Sequence, residues 1–179
     1  PGQRVLVIGA GGGVGTLTVQ VARAFGAEVT GVCSTSKLDL VRSIGADHVI
    51  DYTRADFTDG TQHWDVIVDT AGRRSLRELR RALTPDGTLV IVGGDGGGRW
   101  TGGFFRQILR APLMSLFVGQ KLRPLVQTEK LEDLQALAEM IETGKVTPVV
   151  GKSYDLIDAA EAVRHLARGH ASGKVVITV

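Results

Sequence analysis

Between the first apolar run of the chain and the first helical pattern stands Gly9-Ala10-Gly11-Gly12-Gly13-Val14-Gly15. A backbone so poor in β-carbons lets an anion approach its amides, and a helix that starts immediately afterwards adds the positive end of its dipole. That is what the diphosphate of a dinucleotide requires. A glycine-rich stretch can also be only a flexible turn, and position separates the two readings. Arg4 to Ile8 reads as a buried strand, and Val14, Leu17, Thr18, Val21 and Phe25 carry helical spacing up to Gly26. Strand, glycine turn and helix in that order make a dinucleotide site the expectation for Gly9, Ala10, Gly11, Gly12, Gly13 and Val14. Gly12 supplies the close approach to the ligand in this reading, and Gly15 the tight packing of helix on strand.

The residues after the second strand select among dinucleotides. An acidic residue there would bond the adenosine ribose of NAD and repel a 2′-phosphate. The sequence offers Cys33, Ser34, Thr35, Ser36 and Lys37, with no carboxylate before Asp39. Three hydroxyls and an ammonium suit a dianionic phosphate, so NADP(H) is the expected cofactor. Taken singly, Ser36 reads equally well as a helix cap and Lys37 as a solvated first-turn residue. The missing acid also argues against a methyltransferase that uses S-adenosylmethionine. A short-chain dehydrogenase is excluded by its absent Tyr-x-x-x-Lys, because Asp56 follows Tyr52 and Asp158 follows Tyr154 at that spacing.

These residues need a frame, and the alternation along the chain provides one. Strands are expected over Arg4 to Ile8, Glu28 to Val32, His48 to Ile50, Asp65 to Asp69 and Thr88 to Val92, with helices from Val14, over Ser36 to Ile44 and over Ser75 to Leu83. Ser36 with Asp39 and Ser75 with Glu78 read as capping boxes, and Thr84-Pro85-Asp86-Gly87 as a turn. Further on come a helical stretch near Phe104 to Arg110, a β-like run Leu113 to Val118, and an amphipathic helix marked by Leu131, Leu134, Ala138 and Ile141 and stopped by Gly144. The fold class expected is α/β, a doubly wound parallel sheet (Rossmann) with its ligand at the carboxyl ends of the strands. After Gly144 the rhythm changes: Val146 to Val150 is a possible strand, Ala159 to Ala167 a helix, and Lys174 to Val179 a final β run. The expected division is a nucleotide-binding domain over 1–145 and a C-terminal segment over 146–179.

Composition narrows the class. With 179 residues, 43% hydrophobic and 22% charged, the chain is long enough for one well-packed core. No apolar run reaches the roughly 20 residues of a membrane span, neither a signal nor a transit peptide is visible, and a single cysteine fits the expected cytoplasmic location. Cys33 is the one cysteine, which excludes an internal disulfide and a cysteine-cluster zinc site. His48, His63, His165 and His170 show no ligand spacing with it, so no metal site is expected. Arg73, Arg77, Arg80 and Arg81 would share a helical face, a feature of some nucleic-acid binders, although such a face is usually only solvated. The 24 glycines gather at Gly9 to Gly15 and at Gly93 to Gly103, the latter read as a mobile loop.

The glycine string, together with Gly45-Ala46-Asp47-His48-Val49-Ile50-Asp51-Tyr52 and the ending Gly173-Lys174-Val175-Val176-Ile177, resembles the medium-chain dehydrogenase/reductase superfamily. It is most similar to the quinone oxidoreductase-like and zinc-type alcohol dehydrogenase-like members, and the likeness runs over essentially the whole chain. The resemblance implies that Lys37 and Tyr52 grip the 2′-phosphate. It departs at Ser36, where many relatives carry arginine. It places Thr70, Ala71, Gly93 and Gly94 along the adenosine ribose and nicotinamide, Phe117 and Val118 near the nicotinamide ring, and Lys174 near the diphosphate.

The resemblance also implies an activity: hydride transfer between nicotinamide C4 and a quinone, carbonyl, alcohol or activated alkene. Members begin with a GroES-like catalytic domain, whereas this chain starts at the nucleotide domain. The expectation is therefore a chain that binds cofactor but names no catalytic residue, whose last strands are short of partners, and whose zinc, if any, is held elsewhere. A homodimer through the edge strand 113–118 is implied as well, with a small-molecule substrate and no membrane or nucleic-acid partner. The competing reading is a non-catalytic nucleotide-sensing or RNA-binding module on the same fold.

Overall fold

A computed structural model describes residues 1–93, 118–125, 128, 130–169 and 171–179. The expected helix 104–110, the run 113–117 and most of the Gly93 to Gly103 loop lie outside the described residues.

Strand β1 (Arg4–Ile8) shows why the sheet is covered on both faces. Its Val5 and Val7 point into one buried cluster with Val19, Val29 and Val41, while Leu6 and Ile8 point into another with Trp64, Ile67, Leu79 and Leu89. A strand buried on both sides is apolar at successive positions instead of alternating, as this one is. Helix α1 (Gly15–Ala24) follows, then β2 (Glu28–Cys33), a 3-10 turn (Thr35–Lys37), α2 (Leu38–Ser43), β3 (His48–Asp51), β4 (Trp64–Asp69), α3 (Leu76–Arg81), β5 (Leu83–Ile91) and β6 (Lys121–Pro124). These strands form one parallel sheet in the order β3-β2-β1-β4-β5-β6. The order reverses beside β1, which places a crevice at its carboxyl end. The doubly wound fold expected from the alternation is therefore present.

Local expectations fared unevenly. Ser75 and Glu78 form the reciprocal capping box of α3. Ser36 caps nothing: its hydroxyl lies 3.3 Å from that of Ser34, and Asp39 pairs with Arg42 at 3.0 Å. The physical reason is Thr35, whose hydroxyl is drawn to the Asp51 carboxylate at 2.5 Å and tightens the chain into a 3-10 turn. Thr84 to Gly87 does not stop the fifth strand but bulges within it, since Trp64 pairs with Leu83 and Val66 with Thr88. Arg73 precedes α3, so the arginines do not share one helical face. Arg80 is tied to Gln120 at 2.9 Å, and Arg74 to Asp56 and Glu78 at 3.3 Å each.

Helix α4 (Leu131–Glu142) ends at Gly144, φ 72°, as expected. The strand expected over Val146 to Val150 instead occupies β7 (Val150–Asp155). Val146 is fully buried with its amide on the Met140 carbonyl, and Thr147 exchanges two hydrogen bonds with the Gln20 side chain, so neither is available to a ladder. A 3-10 turn (Leu156–Asp158) and α5 (Ala159–Ala167) lead to β8 (Lys174–Thr178). Among the described residues β7 and β8 pair in parallel only with each other, as a separate two-stranded sheet whose residues are largely exposed.

Candidate cofactor-binding site

Gly9 turns the chain off β1 with φ 83°, a left-handed conformation natural to glycine. The amides of Gly9 and Ala10 both bond the Val32 carbonyl, at 3.1 and 3.0 Å, and the Gly12 amide bonds the Gly9 carbonyl at 3.0 Å. The amides of Gly11, Gly13 and Val14 bond no other backbone group among the described residues. They are donors at the mouth of α1 with nothing to donate to, which is the requirement of an anion cradle.

Each bare α-carbon in the turn has a distinct reason. A β-carbon at Gly15 would run into the Gly9 carbonyl, so helix and turn could not close. At Gly9 it would meet the Thr70 hydroxyl at 2.5 Å. Gly11 makes room for a neighbouring side chain, since its β-carbon would lie 2.6 Å from Cδ of Lys37. Gly13 likewise faces the Gly173 carbonyl at 3.2 Å and Cδ of Lys174 at 3.4 Å. Two lysine stems thus lie across the two glycines.

A cavity of about 370 Å³ opens over the carboxyl ends of β1, β2, β3 and β4. Of the residues singled out in the sequence, Gly9, Gly11, Gly12, Gly13, Val14, Cys33, Ser34, Ser36, Lys37, Tyr52, Thr70 and Ala71 line it. Others do not. Ala10 is fully buried in the core beneath, and Thr35 is turned to Asp51. Gly93 stands behind Thr70, its β-carbon position 3.6 Å from the Thr70 carbonyl. Val118 leads into β6 at the amino-terminal end of the sheet, where Gly119 abuts Pro85 and Gln120 bonds the Thr84 carbonyl, away from the cavity. Lys174 stays beside the glycine turn. Gly94 and Phe117 lie outside the described residues.

The cavity also holds residues that the sequence did not disclose: Ile8, Val32, Phe57, Arg73, Arg74, Gly169 and Ala171. The two arginines follow the end of β4, and strand ends are where this fold places ligands, so that signal was available. Nothing local announced Gly169 and Ala171. They arrive because the C-terminal segment folds back over the turn, with the Gly173 amide on the Gly11 carbonyl at 3.1 Å and Lys37 Nζ donating to the Ala171 carbonyl at 2.6 Å.

Electrostatically the site is cationic. Lys37, Arg73 and Arg74 line it, and no carboxylate does. Burial lowers the pKa of the Lys37 ammonium, which the nearby Cys33 opposes. Burial pushes the Cys33 thiol up to about 11, with Asp51 adding to it, so the thiol stays protonated near neutral pH. Asp51 itself is held below the usual carboxylate range by the Thr35 and Thr53 hydroxyls. Asp69, buried under the end of β4, accepts the amides of Ala71 and Gly72 at 3.1 and 2.9 Å and fixes the backbone there. Burial raises its pKa. Free cradle amides, a bare turn and a cationic rim fit a phosphorylated dinucleotide. Among the described residues no three His, Cys, Asp or Glu side chains are grouped to hold a metal ion.

Comparison with known proteins gives this geometry a family. Residues 44–177 match the zinc-binding dehydrogenase family. The mouse (Mus musculus) mitochondrial NAD(P)H oxidoreductase RTN4IP1 is 33% identical over 99% of this chain and 48% of its own length. The tomato (Solanum lycopersicum) 2-methylene-furan-3-one reductase is 34% identical over 98% and 40%. The chain thus spans about half the length, or less, of these curated relatives. Among solved structures, a quinone oxidoreductase from Coxiella burnetii superposes with a TM-score of 0.82 at 24% identity, covering 99% of this chain and 53% of its own, which speaks to the fold. A structure described as an NAD-dependent alcohol dehydrogenase reaches 0.81 at 30% identity, covering 100% and 52%. The chain belongs to the zinc-binding dehydrogenase family of medium-chain dehydrogenases/reductases.

Proposed function

We propose that residues 1–145 bind NADP(H) in the cavity over β1, and that 146–179 are the C-terminal return segment of the catalytic domain. One observation carries the reading: after β2 and β3 the cavity is lined by Ser34, Ser36, Lys37 and Tyr52, and no carboxylate lines it. A ribose-binding acid would favour NAD, and its absence beside a cationic rim favours the 2′-phosphorylated form. In this assignment the free amides of Gly11, Gly13 and Val14 take the diphosphate, and Lys174 adds charge beside it. Ser34, Ser36, Lys37 and Tyr52 hold the 2′-phosphate, while Thr70, Ala71, Gly93 and Gly94 follow the chain of the cofactor towards its nicotinamide, with Phe117 beside the ring.

When bound, the cofactor supplies or accepts a hydride at nicotinamide C4, and the substrate class proposed for the whole enzyme is a quinone, carbonyl, alcohol or activated alkene. This chain's residues contribute binding and orientation, and the glycine turn fixes how far the cofactor enters. A cytoplasmic location and a twofold dimer through the segment 113–118 complete the proposal. No helix among the described residues is long and apolar enough to cross a membrane. The alternative of a nucleotide-sensing or RNA-binding module loses its arginine face, because Arg73 precedes α3 and Arg74 and Arg80 are committed to Asp56, Glu78 and Gln120.

Calorimetric titration with NADPH and NADH tests the assignment. NADPH binds more tightly, and Lys37→Ala weakens it by roughly 1.5 to 3 kcal/mol, the scale of a hydrogen bond to a charged group, while NADH changes little. Equal affinities untouched by the substitution would sink the NADP reading.

A further inference from the structure

Two arginines stand side by side at the cavity, and they are not equivalent. Arg74 is pinned: its guanidinium sits 5.1 Å over the Phe57 ring and pairs with Asp56 and Glu78 at 3.3 Å each. Arg73 is exposed, lines the same cavity, and makes no hydrogen bond or ion pair among the described residues. Its backbone is nevertheless fixed on both sides. Asp69 holds the amides of Ala71 and Gly72, Gly72 turns with φ 62°, and Ser75 caps α3. The loop therefore presents a planar cation to the cavity from a set position.

The position decides what that cation meets. Ser34, Ser36 and Lys37 follow β2, whereas Arg73 follows β4, and β1 lies between those strands in the sheet. The phosphate-binding groups are thus across the cavity from it. On its own side the lining is aromatic and apolar, with Phe57 and Ala71, while Tyr52, at the end of β3, stands across with the phosphate-binding groups. A guanidinium is flat, weakly hydrated and attracted to the face of a π system. We propose that Arg73 is a positioning residue that stacks on the adenine ring of the bound dinucleotide and closes the outer wall of its slot. This rests on the dinucleotide reading above, but not on the choice between NADP and NAD, since both carry the same base.

The test is titration of NADPH, NADH and 5′-AMP against the full chain and its Arg73→Ala and Arg73→Lys variants. Arg73 is exposed, so the variants fold, and a matching circular dichroism spectrum verifies it. Arg73→Ala weakens all three ligands by a common factor of about three to ten. Arg73→Lys keeps the charge but not the plane, and recovers only part of the loss. A loss confined to NADPH would overturn the proposal by making Arg73 a phosphate ligand, and so would three unchanged affinities. A common loss in a chain whose NADPH and NADH affinities are equal would support the stacking role while removing the NADP preference. A chain that bound none of the three would overturn both.

Discussion

The two ends of the cavity are built in opposite ways. At the glycine turn the site is backbone: free amides, bare α-carbons and a helix mouth, with neighbouring elements so close that a side chain at Gly15 would strike the Gly9 carbonyl. At the ends of β2 and β3 it is side chain, and those side chains already have occupations. Thr35 serves Asp51, Ser34 faces Ser36, and Lys37 reaches over Gly11 to the Ala171 carbonyl. The difference teaches that the glycine-turn end is set by steric necessity and tolerates almost no change, whereas the end at β2 and β3 is a network that substitutions can retune.

The comparison is broken first at the rigid end. Gly15→Ala puts a β-carbon into the Gly9 carbonyl and is expected to cost about 3 kcal/mol of stability, read from denaturant unfolding. A loss of a few tenths would show that the helix can shift and that the turn is looser than drawn. At the soft end, Thr35→Val removes a hydroxyl from Asp51 and should cost about 1 kcal/mol while leaving the NADPH dissociation constant within about twofold. A large affinity loss in this variant would return Thr35 to the ligand. Ser36→Arg sharpens the contrast in the other direction. A guanidinium there adds a charge-assisted donor and should tighten NADPH, not NADH, by about threefold to tenfold.

The smallest effect concerns Cys33. Its folded-state pKa is raised to about 11 from 9.0, so the fold favours the thiol. The stability this contributes is present below about pH 9 and is lost as pH rises towards 11. Unfolding curves at pH 8, 9 and 10 check it against Cys33→Ala, which should show the weaker decline.

How much was legible in the sequence follows the same division. The strands β1 to β4, the helix α1 and the Ser75 cap were readable because their signals are local: apolar runs, helical spacing and a Ser–Glu pair. β6 went unread because Lys-Leu-Arg-Pro has one buried side chain, Leu122, and charges and a proline that suit an edge strand. Thr84 to Gly87 has the composition of a turn, yet pairing with β4 on both sides of it holds it as a bulge. The candidate site was legible as a set of residues but not as a set of roles. Gly11 looked like one more member of the ligand's turn and is also room for Lys37, and Ser36 looked like a cap. Those roles depend on Asp51 and Ala171, which sequence distance hides.

The most direct test of the central claim is amide NMR of the chain during titration with NADPH. If the turn holds the diphosphate, the amides of Gly11, Gly13 and Val14 shift furthest and saturate together with those of Ser36 and Lys37. Unmoved amides at Gly11, Gly13 and Val14 in the presence of saturating NADPH would contradict it.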